Sequence, residues 1–446
     1  MKYQKYDNYK DSGIDWLGRI PEHWVVSRLK FLGNSVIGLT YDPEEIVDNS
    51  DEGTLVLRAN NIQDGKLVDN NPIYVNKIIP PKLKLNTGDI LICSRNGSRH
   101  LVGKNAVITQ SFENSSFGAF MTVFRSKYWN YLSKVLHSEI FTSQSNLYLT
   151  TTINQLTIST LNNLLVPFPT DEKERETITN FLDKEVSRID TLIEKKQQFI
   201  VRLKEKRLAV ISNAVTKGIN ADAKLKPSGI DWLGDIPEHW EVKKLKFNVL
   251  KVGSGITPSG GSSAYLEEGI PLIRSQNVYS DGLRLKDVVY IDSDTHLSMS
   301  NSMIKPKDVL LNITGASLGR SYYVEENIFD EANVNQHVCI IRPNQNLYYR
   351  FLHLLMISES GQTQIWNNQT GSGREGLNFE AIKNFIFAFP PATTEQISIT
   401  KTIESELKRI DELLTKTELA LSKLEEYKTS LISSAVTGKI KVTESA

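Results

Sequence analysis

The amino-acid sequence predicts an α+β protein that contains two β-rich globular blocks and two long helices. Three observations lead to this fold class. A short segment near residue 12 returns near residue 228, and a heptad pattern near residue 182 returns near residue 403. Each intervening stretch of about 145 residues alternates short apolar runs with Gly, Asn and Asp, which is typical of strands and turns. The chain is therefore predicted to be an internal duplication in the order block, helix, block, helix.

The composition is that of a globular protein that can bury a core. Of the 446 residues, 40% are hydrophobic and 23% are charged, and the length predicts about two to four domains. There is no long apolar run and no secretory leader, so we expect neither a membrane span nor export and place the chain in the cytoplasm. A net charge of zero argues against a purely electrostatic polyanion binder but allows a locally basic groove. Cys93 and Cys339 lie in apolar runs, which predicts buried free thiols.

The first repeated segment covers residues 12–24 and returns as residues 228–240, with twelve of thirteen positions identical. Glycine and proline interrupt it, so we predict a structured turn rather than a long helix. Four tryptophans in the two copies are expected to anchor the segment to its block. They are Trp16, Trp24, Trp232 and Trp240. His23 and His239 have no nucleophile or metal-ligand pattern beside them, so the sequence favours a non-catalytic role for both.

The second repeat is a heptad pattern, in which apolar residues step by four and three. The first seam comprises Leu182, Val186, Ile189, Ile193, Ile200 and Leu203, and the second, 221 residues later, comprises Ile403, Leu407, Ile410, Leu414, Leu421 and Leu424. Lys196 and Thr417 interrupt the two copies at the same step. Each helix would be on the order of 65 Å long and would leave its seam in water if it stood alone. Two independent bundle helices are the alternative, but the common register favours an intramolecular pair.

Proline-containing stretches at the ends of the two blocks separate them from the helices. We therefore predict four segments. They are a first block at residues 1–170, a central helix at 171–219, a second block at 220–391 and a C-terminal helix at 392–446. The blocks diverge in sequence but share matched positions, such as Gly38-Leu-Thr40 with Gly255-Ile-Thr257 and Arg58 with Arg274. A constant skeleton with different loops fits two modules that perform the same task on different targets.

Three fragments could suggest an enzyme, and each is incomplete. Asn71-Pro-Ile-Tyr74 resembles the Asn-Pro-Pro-Tyr motif of amino-methyltransferases, but no glycine-rich turn for a methyl donor precedes it and the second block has no counterpart. The glycine-rich stretches 253–261 and 371–376 lack the Gly-Lys-Ser/Thr of a phosphate-binding loop. Because a duplicated enzyme would be expected to duplicate its catalytic site, the sequence favours a non-catalytic protein without a metal or cofactor of its own.

Binding chemistry is better supported, because the loops of both blocks are rich in residue types that contact phosphates and base edges. The candidate DNA-binding residues are Arg58, Asn60, Asn61, Gln63, Arg95, Asn96, Ser98, Arg99, Lys104, Arg274, Ser275, Gln276, Asn277, Asn312, Thr314, Ser317, Arg320, Gln369 and Arg374. Residues 90–170 contain six Lys or Arg against two Asp or Glu, whereas residues 301–391 have no such excess. For any single residue, a solvated loop or a structural hydrogen bond is an equal alternative.

The chain resembles the specificity subunits of type I restriction–modification systems over essentially its whole length. The doubled segment at residues 12–24 and 228–240 carries this resemblance. So do Arg188-Ile-Asp190 and Arg409-Ile-Asp411 in the helices, and the helix ends Ile211-Ser-Asn-Ala-Val-Thr216 and Ile432-Ser-Ser-Ala-Val-Thr437. In the second block, Gly255-Ile-Thr-Pro258, Arg274 and Asn277 match the family's target-recognition domains.

The resemblance implies that each block is a target-recognition domain that reads one half of a split, asymmetric double-stranded DNA sequence. The two helices would pack antiparallel as a coiled-coil spacer, with half-sites roughly 34–36 Å apart. The subunit would be non-catalytic and would bind no cofactor. Two methyltransferase (M) subunits would use S-adenosylmethionine to modify adenine N6, and two restriction/motor (R) subunits would use ATP and Mg for translocation and cleavage.

The first block departs from the family pattern at two places, so its loops are expected to differ from those of the second block. Tyr41 stands where the second block has Pro258, and Thr170 stands where it has Pro391. A different class of function also fits the absence of net positive charge: a coiled-coil scaffold whose two α+β domains bind proteins rather than DNA. The salt dependence of binding discriminates between the two, because phosphate contacts make log K fall linearly with log salt.

Overall fold

The computed structural model describes residues 3–148, 154–369 and 376–443. The chain divides into two compact units, the first made of residues 1–197 with 419–446 and the second of residues 198–418. Each unit therefore contains one block together with one part of each long helix. The four segment boundaries expected from the sequence stay a prediction.

Short strands and short helices form the first block, in unit 1. The strands are β1 (Tyr9–Asp11), β2 (Arg19–Pro21), β3 (Trp24–Arg28), β4 (Asn34–Ile37), β5 (Ile46–Val47), β6 (Thr54–Leu57), β7 (Ile62–Gln63), β8 (Lys66–Leu67), β9 (Tyr74–Val75), β10 (Ile90–Cys93), β11 (Asn105–Val107), β12 (Ser116–Phe117), β13 (Met121–Arg125) and β14 (Leu165–Pro169). The helices are α1 (Trp129–Leu136), α2 (Glu139–Tyr148), α3 (Ile158–Asn163) and the long α4 (Glu172–Lys217).

A four-stranded antiparallel sheet in the order β11-β10-β13-β4 forms the centre of the first block. Its register places Ile90 opposite Phe124. A second sheet, β12-β6-β9-β5, joins β12 and β6 in parallel. The pairing of β3 with β14, which sets Trp24 opposite Pro169, brings the two ends of the block together just before the long helix begins.

The second block, in unit 2, has a corresponding set of elements. The strands are β15 (Leu225–Pro227), β16 (Asp235–Pro237), β17 (Glu241–Lys244), β18 (Val249–Ser254), β19 (Ile270–Ile273), β20 (Val278–Tyr279), β21 (Gly282–Leu283), β22 (Val289–Ile291), β23 (Val309–Asn312), β24 (Ser321–Tyr323), β25 (Asn333–Val334), β26 (Val338–Pro343) and β27 (Ile386–Phe389). The helices are α5 (Ser293–Ser298), α6 (Tyr349–Ile357), α7 (Glu359–Asn367), α8 (Phe379–Lys383) and the long α9 (Thr393–Val436).

The sheet topology of the first block recurs in the second. The central sheet has the order β18-β26-β23-β24, β19 pairs with β25 in parallel, and β17 pairs with β27 at the ends of the block. In both central sheets the middle strands are apolar and buried, as Ile90–Cys93 and Val309–Asn312 illustrate. The α+β class and the internal duplication predicted from the sequence are therefore confirmed.

The two long helices contain 46 and 44 residues, and their predicted seams are buried or half-buried along the whole length. In unit 1 the N-terminal part of α4 lies against the C-terminal part of α9, with an ion pair of 2.6 Å between Lys428 and Asp190. In unit 2 the C-terminal part of α4 lies against the N-terminal part of α9, where Arg207 bonds Asp411 at 3.3 Å. Each unit thus shows the pairing expected of antiparallel helices. Among the described residues, no helix has the length and apolarity needed to cross a membrane.

The repeated tryptophans fall into two classes. Trp24 and Trp240 are completely buried, in agreement with their predicted role as anchors. The same prediction is wrong for Trp16 and Trp232, which are 45% and 46% exposed. The physical reason is that the next residue in each turn, a leucine, takes the buried position, so the neighbouring indole faces solvent.

Both cysteines are free and buried, as the apolar runs around them predict. Burial raises the pKa of the Cys93 thiol to about 11 and that of Cys339 to about 12. Both side chains therefore remain protonated near neutral pH and pack as small apolar groups.

Candidate functional site

Four candidate binding residues of the second block, Asn312, Thr314, Ser317 and Arg320, lie at the end of the central strand β23 or on the loop that follows it. The backbone N–H of Ile313 donates to the carbonyl of His337 at 3.0 Å, and the N–H of Leu377 donates to the carbonyl of Ile313 at 2.9 Å. Thr314 forms an isolated bridge with Gly376. These bonds tie three chain segments together at one end of the central sheet.

The first block repeats this arrangement at the end of β10. The N–H of Ser94 donates to the carbonyl of Phe120 at 3.0 Å, and the N–H of Leu156 donates to the carbonyl of Ser94 at 2.7 Å. Arg95 forms an isolated bridge with Gln155. The match is residue for residue, so we call this set of backbone bonds the loop framework of each block.

A glycine closes each framework loop and returns the chain to the sheet. The N–H of Gly103 donates to the carbonyl of Cys93 at 2.8 Å, and the N–H of Gly319 donates to the carbonyl of Asn312 at 2.9 Å. Both glycines have a positive φ, +90° and +83°, which a side chain would strain. The loop between the closing residues is longer in the first block, so the two frameworks present different surfaces.

The matched Arg and Asn residues before the small hairpins stabilise the backbone. The Oδ1 atom of Asn61 accepts from the N–H of Arg58 at 2.9 Å, and its Nδ2 donates to the carbonyl of Val68 at 3.2 Å. The Nη2 of Arg58 donates to the carbonyl of Asn71 at 3.0 Å. Beside them, the side chain of Asn60 bonds a carbonyl of the same loop and Gln63 is exposed.

The second block has the same turn. The Oδ1 atom of Asn277 accepts from the N–H of Arg274 at 3.0 Å, its Nδ2 donates to the carbonyl of Arg284 at 2.8 Å, and the Nη2 of Arg274 donates to the carbonyl of Asp287 at 3.0 Å. Asn61 and Asn277 are both 1% exposed, so their side chains serve the turn in this conformation. DNA contact by these residues stays a prediction.

The remaining candidates of the first block lie along the framework loop. Arg95 is exposed and lies over the ring of Phe120, with the guanidinium carbon 5.2 Å from the ring centroid. Arg99 donates to the carbonyl of Asn146 at 3.1 Å. Asn96 and Ser98 form a local turn, in which the Asn96 Oδ1 accepts from the Ser98 N–H, and Lys104 is half-buried at the end of the loop.

In the second block the structure brings two candidate stretches together. The buried Asn312 donates through Nδ2 to the carbonyl of Ser275 at 2.8 Å, and its Oδ1 has no partner among the described residues. The guanidinium carbon of Arg320 lies 4.5 Å from the centroid of the Tyr279 ring, and Gln276 is exposed. Thr314, Ser317 and Gln369 are partly exposed, and Arg374, with the glycine-rich stretch 371–375, lies outside the described residues.

Three aromatic residues at these loops were not identified from the sequence. Phe120 and His337 each directly precede a central strand, and Tyr279 stacks with Arg320. Phe120 and His337 share a position next to a buried strand, which becomes visible only when the two blocks are aligned on β13 and β26. No group of three or more His, Cys, Asp or Glu side chains within the described ranges is arranged to hold a metal ion.

The repeated histidines have a structural partner in each unit. His23 Nε2 lies 2.8 Å from a carboxylate oxygen of Glu174, and the indole N–H of Trp24 donates to the other oxygen at 3.0 Å. In unit 2, His239 and Trp240 contact Glu395 in the same way, each at 3.0 Å. Both carboxylates lie in the first turn of a long helix, so the repeated segment fastens the block to the start of that helix.

His353 provides a pH-dependent contribution to the stability of unit 2. Its ring is buried beside Tyr322 and Tyr323, and burial, followed by the positive charge of Arg207, lowers the pKa of His353 to about 3. In the unfolded chain, the imidazole of His353 binds a proton with the ordinary pKa of about 6.5. His353 therefore makes its full contribution to the unfolding free energy above pH 6.5, and this contribution decreases as the pH falls towards 3.

We expect His353→Phe to reduce the acid sensitivity of unit 2. Between pH 6.5 and 5, the wild type should lose up to about 2 kcal/mol of unfolding free energy relative to the variant, since each pH unit contributes about 1.4 kcal/mol. Chemical denaturation at several pH values measures this difference. His100→Gln is the control because His100 is exposed and lies outside unit 2. Equal pH slopes for the wild type and His353→Phe would contradict the assignment.

Comparison with known proteins gives a consistent result along the chain. Residues 237–423 match the family described as type I restriction modification DNA specificity domain. The specificity subunit of the type I restriction enzyme EcoKI from Escherichia coli K12 is 24% identical over 440 residues, which cover 95% of this chain and 90% of that protein. The MjaVIII specificity subunit of Methanocaldococcus jannaschii is 23% identical over 452 residues, covering 99% and 98% of the two chains.

Two solved structures have a similar fold. A chain from a study of complex assembly and conformational transition of the type I R-M system superposes with a TM-score of 0.72 at 15% identity, covering 94% of this chain and 98% of that chain. The HsdS subunit from Thermoanaerobacter tengcongensis superposes with a TM-score of 0.51 at 16% identity, with the same coverage. At these identities the likeness concerns the fold alone.

Proposed function

We propose that the chain belongs to the family of type I restriction–modification specificity subunits and that it reads a bipartite, asymmetric double-stranded DNA site, one half with each block. Members of this family are non-catalytic, and this chain is accordingly a recognition component. The observation that carries the proposal is the loop framework, which recurs in both blocks but holds different side chains. Identical scaffolds with different loops are suited to reading two different half-sites.

The charge and exposure of the loops support DNA as the ligand. In the first block, Arg95 and Arg99 project from the framework loop. In the second, Arg320 is held over Tyr279, and Gln276, a residue type that pairs with adenine, is exposed. Most of these groups donate hydrogen bonds, and DNA offers acceptors on its phosphates and on the major-groove edges of guanine and adenine.

The helices and partner subunits complete the proposed assembly. The segments 1–170 and 220–391 act as target-recognition domains, and the helical segments 171–219 and 392–446 form the spacer that sets the gap between half-sites. Two methyltransferase subunits supply S-adenosylmethionine chemistry at adenine, and two motor–nuclease subunits supply ATP- and Mg-dependent translocation and cleavage. We place this assembly in the cytoplasm, where the chain meets DNA.

A methylome comparison tests the proposal. Cells that express the chain with its methyltransferase partner should show a bipartite motif with modified adenine on both strands, and cells that express the partner alone should not. A variant of the same chain with the framework-loop residues Arg95, Arg99 and Arg320 replaced by alanine should show weaker modification of this motif. A methylation pattern that is the same with and without the chain would contradict the proposed function.

A protein-binding scaffold is the second candidate, because the net charge of the chain is zero. Salt-titrated binding of the full-length chain to duplex DNA separates the two functions. For a DNA reader, log K should fall linearly with log salt, with a slope of about −0.9 for each phosphate contacted. A scaffold would show no measurable DNA affinity at any salt concentration.

A further inference from the structure

The loop framework assigns equivalent positions to residues that look unrelated in sequence. Phe120 directly precedes β13 as His337 directly precedes β26, and both carbonyls accept the framework bond from the strand opposite. Arg95 and Thr314 each come one residue after the donor of that bond. Each also forms the isolated bridge with the third chain segment of its framework. The pair Arg95 and Phe120 in the first block therefore corresponds to the pair Thr314 and His337 in the second.

Arg95 differs from the other arginines of the first block. Five of the six make side-chain hydrogen bonds within the protein, namely Arg19, Arg28, Arg58, Arg99 and Arg125. Within the described residues, the guanidinium of Arg95 forms no hydrogen bond or ion pair, and it lies over the ring of Phe120. All of its donors are thus available to a ligand.

Phe120 positions this guanidinium, whose carbon lies 5.2 Å from the centroid of its ring. Its ring is 59% exposed, and its carbonyl accepts hydrogen bonds from the N–H groups of Ser94 and Arg95, both at 3.0 Å. The backbone of the arginine is therefore fixed beside the ring on which its side chain stacks. Stacking on an aromatic face leaves the outer edge of the guanidinium free for planar, bidentate hydrogen bonding.

The equivalent position of the second block has no arginine, and its side chains bond to each other. The Nδ1 of His337 lies 2.6 Å from Thr314 Oγ1, and its Nε2 lies 3.0 Å from Gln336 Nε2. With the amide nitrogen as donor to Nε2, the Nδ1–H donates to the threonine hydroxyl. This network offers a base edge a different pattern of donors and acceptors from that of the first block.

We propose that Arg95, held by Phe120, reads a guanine in the half-site of the first block, and that Thr314 and His337 form the corresponding reading position of the second block. The inference rests on the proposed function. Two parallel N–H donors of arginine match the O6 and N7 acceptors of guanine in the major groove, the commonest specific contact between a side chain and a base. The half-sites then differ at this position because the side chains on the common framework differ.

Site selection from a randomised duplex DNA library with the full-length chain tests the inference. The wild type should select a bipartite sequence. Arg95→Ala should lose roughly ten- to hundred-fold of the preference for guanine at one base pair of one half-site and keep the other half-site. Arg188→Ala, which removes an exposed arginine from the long helix of the same unit, should leave both half-sites unchanged.

Two further variants make the outcome decisive. Arg95→Lys keeps the charge but loses the bidentate fork, so the guanine preference should fall while the salt dependence of binding stays the same. Thr314→Arg combined with His337→Phe should introduce a guanine preference into the second half-site. Two results would overturn the inference. Either Arg95→Ala selects the same two half-sites as the wild type, or it loses the same affinity for all sequences. Failure of the wild type to select any sequence would instead overturn the proposed function.

Discussion

Replacement of residues 241–390 by the corresponding block of a similar specificity subunit is expected to change one half of the selected DNA sequence completely and to leave the other half unchanged. The exchanged segment begins with β17 and ends just after β27, and these strands pair with each other, setting Glu241 opposite Phe389. The two ends of the exchanged block are therefore held together by their own strand pairing. Its central sheet, β18-β26-β23-β24, lies entirely within the segment.

The boundaries of the exchange also preserve the attachment to the long helix. Trp240 and Glu395, which hold the repeated segment against the first turn of α9, lie outside the exchanged residues. Site selection or methylome sequencing measures the outcome. A matched control inserts residues 25–169 of the same chain, the equivalent block from β3 to β14, in place of residues 241–390. This control should select a site with two identical half-sites, and a change in both halves after the first exchange would contradict the modular model.

Asp308→Ala is expected to destabilise unit 2 by about 3–5 kcal/mol, because it removes one partner of a buried ion pair. The Asp308 side chain is 0% exposed, and its two oxygens accept from Arg342 Nε at 2.7 Å and Nη2 at 2.8 Å. The backbone N–H of Lys305 also donates to the carboxylate, at 2.7 Å. The substitution would leave the arginine charge without its carboxylate and the turn without its acceptor.

Chemical denaturation of the full-length chain measures this loss. Asp281→Ala is the control, because Asp281 belongs to an exposed ion pair with Arg284 in the same unit and should cost less than about 1 kcal/mol. A double variant, Asp308→Ala with Arg342→Met, should recover part of the loss since it also removes the buried charge. Equal stabilities for Asp308→Ala and Asp281→Ala would show that the pair is not a determinant of the fold.

The same ion pair occurs in the first block, where Arg125 contacts both oxygens of Asp89 at 3.0 and 3.1 Å. Its arginine also donates to the carbonyl of Lys82, and burial raises the pKa of Asp89. Neither acidic residue was identified from the sequence, because an aspartate at the start of an apolar strand has the appearance of an ordinary turn residue. The pairing becomes apparent only when the neighbouring strand contributes its arginine.

The candidate site was predictable in part. The predicted stretches 95–104 and 312–320 lie at the ends of the central strands β10 and β23, so composition selected corresponding parts of the two blocks, and their contact with DNA stays a prediction. Composition could not distinguish side chains whose donors are exposed from side chains whose hydrogen bonds stabilise the protein's own turns. Asn61 and Asn277 are of the same type as Asn60 and Asn96, yet their amides are buried and bonded to carbonyls of their own hairpins.

The sequence by itself determined the duplication, the α+β blocks and the apolar seams of the two helices. These features are readable because a helix or strand buries one face at a fixed residue spacing, so the pattern is local. The tertiary structure alone decided which side chains meet: His23 with Glu174, 151 residues away, and Arg95 with Phe120. Such contacts depend on strand pairing between distant segments, which no local spacing records.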